Sequence, residues 1–162
     1  MTEEQDNQEA EYLPNWLGTA LLYDDLPWEQ STAYSVSMFL DKYTLHDSLW
    51  VNLLCDVAND NEALLIFLWD AVWLPNEVAK STASVGDWPL LFIKLKNIRQ
   101  VSTLGYEHVS NIHRGIGTAE YEEIEGKKIF VIHDHYGGSV EIVFEGASHF
   151  LALNEQKELL KI

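Results

Sequence analysis

The sequence predicts an α+β fold dominated by a mostly antiparallel sheet, and three features of the chain lead to this fold class. Residues from Leu49 onward alternate between two faces, which is typical of a half-buried strand. Further along the chain, short apolar segments are separated by turn-forming residues, as in strands joined by hairpins. Segments with helical periodicity are few and short. We therefore expect about six strands in a partly curled or sandwich-like arrangement.

The alternating segment over residues 45–57 predicts a half-buried strand with which the later strands could pair. One of its faces would carry Leu49, Val51, Leu53, Cys55 and Val57, and the other Trp50, Asn52, Leu54 and Asp56. Cys55 lies on the face expected to point inward, so the sequence predicts a buried and inert thiol. His46, Asp47 and Ser48 come just before the alternation, where polar side chains hydrogen-bond the local backbone.

Short helices are predicted near the N-terminus, before residue 45 and at the C-terminus. They span residues 16–23, 32–42 and 155–161. Pro14 and Pro27 limit the first helix. Ser31 or Thr32 is the expected N-cap of the second, and Asn154 that of the third.

The remaining strands are predicted from short apolar segments and the turns between them. They span residues 62–69, 90–98, 119–124, 129–133, 139–144 and 148–153. The first forms a hairpin with the alternating segment. Glu125-Gly126 and Gly137-Gly138 are typical hairpin turns. The segment over residues 101–117 is predicted to be irregular.

We expect a single domain over residues 12–162, preceded by a disordered acidic tail over residues 1–11. Hydrophobic residues make up 47% of the 162, which excludes a disordered chain. No apolar run reaches the roughly 20 residues of a membrane span, and the acidic N-terminus is unlike a signal peptide. The sequence therefore predicts a cytoplasmic protein.

The whole chain has a net charge of −16, and most of this negative charge lies in its first half. Residues 1–79 contain 15 acidic side chains and the single basic Lys42, a net of −14, whereas residues 80–162 contain 11 acidic and 9 basic side chains, a net of −2. Such a chain repels nucleic acid and anionic membranes and attracts basic surfaces. Two interpretations stay open: the acidity binds a partner, or it only keeps the protein soluble.

Two histidine motifs are candidates for chemistry. Residues two apart on a strand point to one face, so His133 and His135 of the His133-Asp134-His135 string could bind one metal ion, with Glu141 or His149 as a further ligand. His46-Asp47 matches the dyad of metal-dependent phosphohydrolases, but those enzymes are all-helical. Here the dyad precedes a predicted strand, which favours a hydrogen-bonding role. A metal-dependent hydrolase is therefore the alternative function, and a structural homo-oligomeric subunit is another.

An acidic strand and turn carries Glu120, Glu122, Glu123 and Glu125. Charges on an edge strand discourage pairing with other sheets, which is one interpretation. The other is a docking stripe for a basic partner.

Several segments together resemble a known class of bacterial proteins. These are Phe39-Leu40 leading through Leu45-His46-Asp47-Ser48 into an alternating strand, the strand Leu-Leu-Phe-Ile-Lys-Leu-Lys-Asn-Ile at residues 90–98, and the hairpin at Gly137-Gly138 that leads into residues 140–144. The layout, over residues 38–154, resembles small all-β immunity proteins of polymorphic-toxin and contact-dependent inhibition systems. The resemblance implies a protein that binds and neutralises a cognate toxin, with no catalytic residues and no cofactor.

The sequence thus predicts a non-enzymatic, acidic immunity or inhibitor protein, monomeric or weakly dimeric. Its partner would be a toxin domain with a basic surface, such as a nuclease, and neither nucleic acid nor a membrane. Acidic side chains near loops, and tryptophans beside them, are the predicted contacts. These residues are Asp24, Asp25, Asp60, Glu62, Asp70, Trp73, Glu77, Asp87 and Trp88.

Overall fold

Two antiparallel sheets and two short helices make up the part of the chain that the computed structural model describes, residues 13–56, 61–75, 78, 88–105 and 115–162. The helices are α1 (Trp16–Leu22) and α2 (Val36–Lys42). The strands are β1 (Leu49–Asp56), β2 (Glu62–Leu68), β3 (Leu90–Leu95), β4 (Ile98–Leu104), β5 (Ile116–Ile124), β6 (Lys127–Asp134), β7 (Ser139–Phe144), β8 (Ser148–Leu153) and β9 (Leu159–Leu160). The predicted β-dominated α+β class is confirmed.

The first sheet has the strand order β1-β2-β3-β8-β9, and the second has the order β4-β7-β6-β5. Neighbouring strands are antiparallel in both sheets. The predicted hairpins β1–β2, β5–β6 and β6–β7 are present, the last two turning at Gly126 and Gly137, whose φ angles are +80° and +90°. Glycine is favoured at both turns because it adopts positive φ without a steric cost.

The two sheets share one buried core, which confirms a sandwich-like arrangement. Leu65, Phe67 and Ile93 of the first sheet belong to the same apolar cluster as Phe130 and Ile142 of the second. All five are fully buried. Because side chains alternate along a strand, each sheet presents one apolar face to this core.

A second apolar cluster covers the opposite face of the first sheet. Leu17 and Ala20 of α1 pack there with Phe92 of β3 and Leu151 of β8. The strands at the middle of this sheet are therefore buried on both faces, which explains why residues 63–68 are apolar without alternation.

Helix α2 closes the shared core through Phe39, whose ring stacks on that of Phe150 with the centroids 4.3 Å apart. The helix is shorter than predicted. It begins after Ser35, whose Oγ accepts a hydrogen bond from the backbone N–H of Met38, as an N-cap does. The expected cap Thr32 instead pairs with Phe150 as an isolated β-bridge.

The half-buried strand predicted from Leu49 onward is present as β1, but its predicted division into two faces is wrong. β1 lies at the edge of the first sheet, and β3 is the middle strand. A bulge between Trp50 and Asn52 breaks the alternation, so Val51 packs in the second cluster whereas Trp50 and Leu53 pack in the shared core. The end of the strand projects into solvent. Cys55, predicted to be buried, is consequently exposed.

The C-terminal helix predicted over residues 155–161 is also wrong. Asn154 Oδ1 accepts hydrogen bonds from the N–H groups of Gln156 and Glu158, which forms a turn. Lys157 follows with a φ of +63°, and the chain returns as β9 along β8. An Asn side chain can stabilise a turn as readily as a helix start, and here the turn is formed.

The predicted strand over residues 90–98 is two strands. Asn97, with a φ of +58°, separates β3 of the first sheet from β4 of the second. β4 therefore occupies part of the segment that was predicted to be irregular.

The predicted acidic tail over residues 1–11 lies outside the described residues. Neither helix of the described part is long and apolar enough to cross a membrane.

Replacing Phe39 by alanine should lower the free energy of unfolding by about 3–5 kcal/mol, because it removes a fully buried ring from the shared core. Met38→Ala on the same helix is the matched control. Met38 is 57% exposed, so its loss should change the free energy by about 0.5 kcal/mol or less. Urea unfolding followed by tryptophan fluorescence measures both, and similar losses would contradict the position of α2.

Candidate functional site

The two sheets are joined at the start of β1 by a backbone interlock. The N–H of Asp47 donates to the carbonyl oxygen of Ile116 at 2.9 Å, and the N–H of Ile116 donates to that of Ser48 at 2.9 Å. Leu49 and Gly115 form an isolated β-bridge beside them. Asp47 has a φ of +63°, which aspartate tolerates better than most residues. The interlock fixes the residues before β1 against the start of β5.

The interlock places Asp47 between two imidazoles. His135 Nε2 lies 3.0 Å from Asp47 Oδ1, and His46 Nε2 lies 3.4 Å from Asp47 Oδ2. His46 Nδ1 is 2.7 Å from the carbonyl oxygen of Gly117. The rings of His46 and His135 have centroids 5.8 Å apart. One carboxylate thus faces two histidines from distant parts of the chain.

Trp73 lies on the other side of His46, with the two ring centroids 5.5 Å apart. We call His46, Asp47, Trp73 and His135 the histidine corner. Trp73 is 49% exposed, and the side chains of His46 and Asp47 are 45% and 44% exposed. The corner is therefore an accessible surface site that combines aromatic rings with one carboxylate, a combination suited to contact with a partner.

A buried hydrogen-bond network supports Trp73. Ser48, which is fully buried, accepts a hydrogen bond through Oγ from the N–H of Asp70. Asp70 Oδ1 in turn accepts from the N–H of Val72, at the start of a short 3-10 turn over Ala71–Trp73. Asp70, a predicted partner contact, is only 5% exposed and offers little surface to a partner. Its carboxylate shapes the turn that carries Trp73.

The second sheet turns a different surface to the solvent. Glu120, Val131 and Glu141 stand side by side across β5, β6 and β7. Glu122, Ile129 and Val143 form the next row. We call these six residues the outer face. The three glutamates are exposed, and the three apolar side chains are half-buried and belong to neither apolar cluster.

The outer face is acidic because its charges are not neutralised nearby. Within the described residues, Glu122 and Glu141 have no salt-bridge partner, and Glu120 contacts only His133, at 3.4 Å. The predicted docking stripe is thus divided. Glu120 and Glu122 lie on the outer face, whereas Glu123 stands opposite Lys128 in a row that faces the other way.

The proposed metal pair His133 and His135 does not converge. His133 faces Glu120 on the outer face, whereas His135 lies beyond the end of β6 and faces Asp47 in the histidine corner. Glu141 also lies on the outer face, and His149 lies on the first sheet. In the described part of the chain, no group of three or more His, Cys, Asp or Glu residues is arranged to hold a metal ion.

The other predicted contacts are scattered. Asp24 and Asp25 are exposed after α1, and Asp25 pairs with Lys157 at 3.2 Å. Trp88 is half-buried against the second apolar cluster. Glu62 lies beside two lysines of the first sheet. Asp60, Glu77 and Asp87 lie outside the described residues. Of the predicted contacts, Trp73 alone belongs to the histidine corner.

Sequence reasoning found the parts of the corner without joining them. His46-Asp47 was interpreted as a local hydrogen-bonding pair, and His135 as a partner of His133. The contact between Asp47 and His135 joins residues 88 positions apart. No local pattern encodes such a distance; only the pairing of β5 with the segment before β1 produces it.

A comparison with protein-family models finds no match for this chain, and a search of curated proteins finds no similar sequence. The resemblance to immunity proteins over residues 38–154 therefore stays a prediction.

Ser48→Ala should lower the free energy of unfolding by about 1–3 kcal/mol, because it leaves the N–H of Asp70 buried without an acceptor. Ser102→Ala, at a less buried position of β4, is the control and should cost about 0.5 kcal/mol or less. Urea denaturation measures both. Equal stability of the two variants would show that the Ser48 hydroxyl does not support the corner.

His149 makes stability depend on pH. Partial burial, followed by the charges of Lys96 and Lys94, lowers the pKa of His149 from its usual 6.5. The unfolded chain therefore binds more protons than the folded one as the pH falls through 6.5 toward the lowered pKa, so acid favours unfolding there. His149→Gln should flatten this loss of stability, and Lys96→Gln should flatten it partly. Urea unfolding at a series of pH values measures the slopes; an unchanged slope in both variants would exclude this origin.

Proposed function

We propose that this chain is an acidic, non-enzymatic inhibitor of the immunity-protein type, which binds and neutralises a cognate toxin domain with a basic surface. The observation that carries the proposal is the outer face, where exposed carboxylates flank half-buried apolar side chains. The glutamates are Glu120, Glu122 and Glu141.

Electrostatics gives the outer face a role in association. Toxin domains that act on nucleic acids carry basic surfaces, which an acidic protein attracts over several ångströms. Complementary charge raises association rates from roughly 10⁵–10⁶ to as much as about 10⁸–10⁹ M⁻¹s⁻¹ at low salt. A net charge of −16 supports such attraction. The half-buried side chains of the outer face, Ile129, Val131 and Val143, offer surface that the partner can bury.

The test uses a toxin domain that this chain is first shown to neutralise, sought among the proteins encoded by adjacent genes. Replacing Glu120, Glu122 and Glu141 together by glutamine should slow association roughly tenfold at low salt and much less at high salt, with little effect on dissociation, because rim charges act mainly on the encounter. Stopped-flow mixing at several salt concentrations measures this. Glutamine keeps the size of each side chain and removes only its charge.

Titration of toxin activity separates inhibition from catalysis. A binding inhibitor should abolish activity linearly up to one equivalent of protein. Protection by a small fraction of an equivalent would indicate an enzyme, and a neutralised toxin whose association is insensitive to salt would contradict the role given to the acidic surface.

A further inference from the structure

We propose that the histidine corner is an anchor site for an arginine side chain of the basic partner, which binds between His46, Asp47 and Trp73. This inference rests on the proposed function, since it supposes a basic partner. It adds the position and chemistry of a specific contact, whereas the outer face accounts for long-range attraction and for apolar surface that the partner buries.

The hydrogen bonds of His46 leave an acceptor facing Asp47. The carbonyl oxygen of Gly117 can only accept, so His46 Nδ1, at 2.7 Å from it, carries a proton and donates. In the neutral ring Nε2 then has only a lone pair, and it faces Asp47 Oδ2, a second acceptor. Two acceptors facing each other favour a donor from outside.

The separation of these two atoms argues against a direct bond. His46 Nε2 and Asp47 Oδ2 are 3.4 Å apart, a wider gap than the roughly 2.7–2.9 Å of a charge-assisted hydrogen bond. The forked N–H groups of a guanidinium can donate to both atoms at once. His135 Nε2, at 3.0 Å from Oδ1, holds the other side of the carboxylate in place.

Trp73 completes the site because guanidinium groups stack on aromatic rings. The chain uses the same combination internally at two other places. Lys157 lies 3.2 Å from Asp25 and 5.8 Å from the ring of Trp16. Lys94 lies 3.9 Å from Glu62 and 4.0 Å from the ring of Trp28. In both places a tryptophan and a carboxylate hold one cation.

At the histidine corner, Trp73 lies against His46, which faces Asp47, and the part of the chain that the structure describes places no equivalent cation there. Within the described residues, no Lys or Arg lies within 4.0 Å of Asp47, and none stacks on Trp73. Charge complementarity therefore assigns the occupant: a cationic side chain of the partner, with arginine favoured by the two acceptors and the exposed ring.

The experiment titrates the full chain with Nα-acetyl-argininamide and follows the indole N–H of Trp73 by NMR. We expect a saturable shift with a dissociation constant on the order of 1 mM, because a single side chain makes few contacts. Nα-acetyl-citrullinamide, its neutral analogue, should produce no saturable shift. Equal responses to the two probes would overturn the proposal.

Asp47→Asn should weaken argininamide binding at least about tenfold, equivalent to roughly 1.4 kcal/mol. Asparagine also tolerates the positive φ at this position, so the backbone interlock is retained. Asp41→Asn removes the same charge from an exposed position on α2 and should leave binding unchanged. Retained binding in Asp47→Asn would overturn the proposal.

Two spectroscopic outcomes would assign the corner otherwise. A His46 ring with both nitrogens protonated at neutral pH would remove the free acceptor and overturn the inference. Stoichiometric Zn²⁺ binding that shifts the His46 resonances would make a metal ion the occupant and overturn it as well.

The toxin complex separates this inference from the proposed function. Asp47→Asn should mainly speed dissociation, whereas the triple glutamine variant should mainly slow association. If Asp47→Asn leaves dissociation unchanged while the triple variant acts as expected, the anchor fails and the proposed function stands. If the toxin is not neutralised at all, the proposed function fails. Selective binding of argininamide is then the measurement that tests the histidine corner as an arginine site.

Discussion

The interlock between residues 47–48 and Ile116 is the constraint on which the surface of this protein depends. Two short backbone hydrogen bonds tie the segment before β1 to the start of β5 and thereby connect the edges of two sheets. Backbone groups at such a junction must be paired or solvated, since an unpaired buried group is costly. Once they are paired, Asp47 has a fixed position and a fixed left-handed conformation.

Much of the rest follows from how the two sheets bury their faces. The first sheet is covered on both sides, by the shared core and by the cluster that includes α1, so it has little apolar surface to offer. Among the described residues, the second sheet is covered on one side only. Every second side chain of its strands points away from the core, and on this side Val131 and Ile129 lie half-buried between exposed glutamates.

Local sequence patterns predicted those parts of the fold that have local causes. The β5–β6 and β6–β7 hairpins were found because Gly126 and Gly137 favour the required turns. The strand predicted over residues 62–69 is present as β2, whose apolar side chains suit a sheet that is covered on both faces. The predicted faces of β1 are wrong because a bulge between Trp50 and Asn52 puts Leu53 on the same face as Trp50, and alternation along the sequence does not reveal a bulge.

The predictions of the C-terminal helix and of the corner's contacts failed for different reasons. Asn154 favours a turn and a helix start alike. The turn brings Leu160 into the shared core, where it is 1% exposed, and this burial stabilises the turn. The corner needed a contact between Asp47 and His135 that exists only after the sheets assemble. Trp73 was predicted from its position beside a loop, a correct inference about exposure that could not identify its neighbours.

The two surfaces are close enough to act on one partner. His133 borders the outer face through Glu120, and His135 belongs to the corner. Two residues of extended chain span only about 7 Å, so a single basic domain can cover both. In the proposed complex, charge on the outer face would act before contact and control the rate of association, whereas the proposed arginine anchor would act after contact and control the lifetime of the complex. A surface with only the first would bind many basic proteins briefly, and the corner is what would make one of them stay.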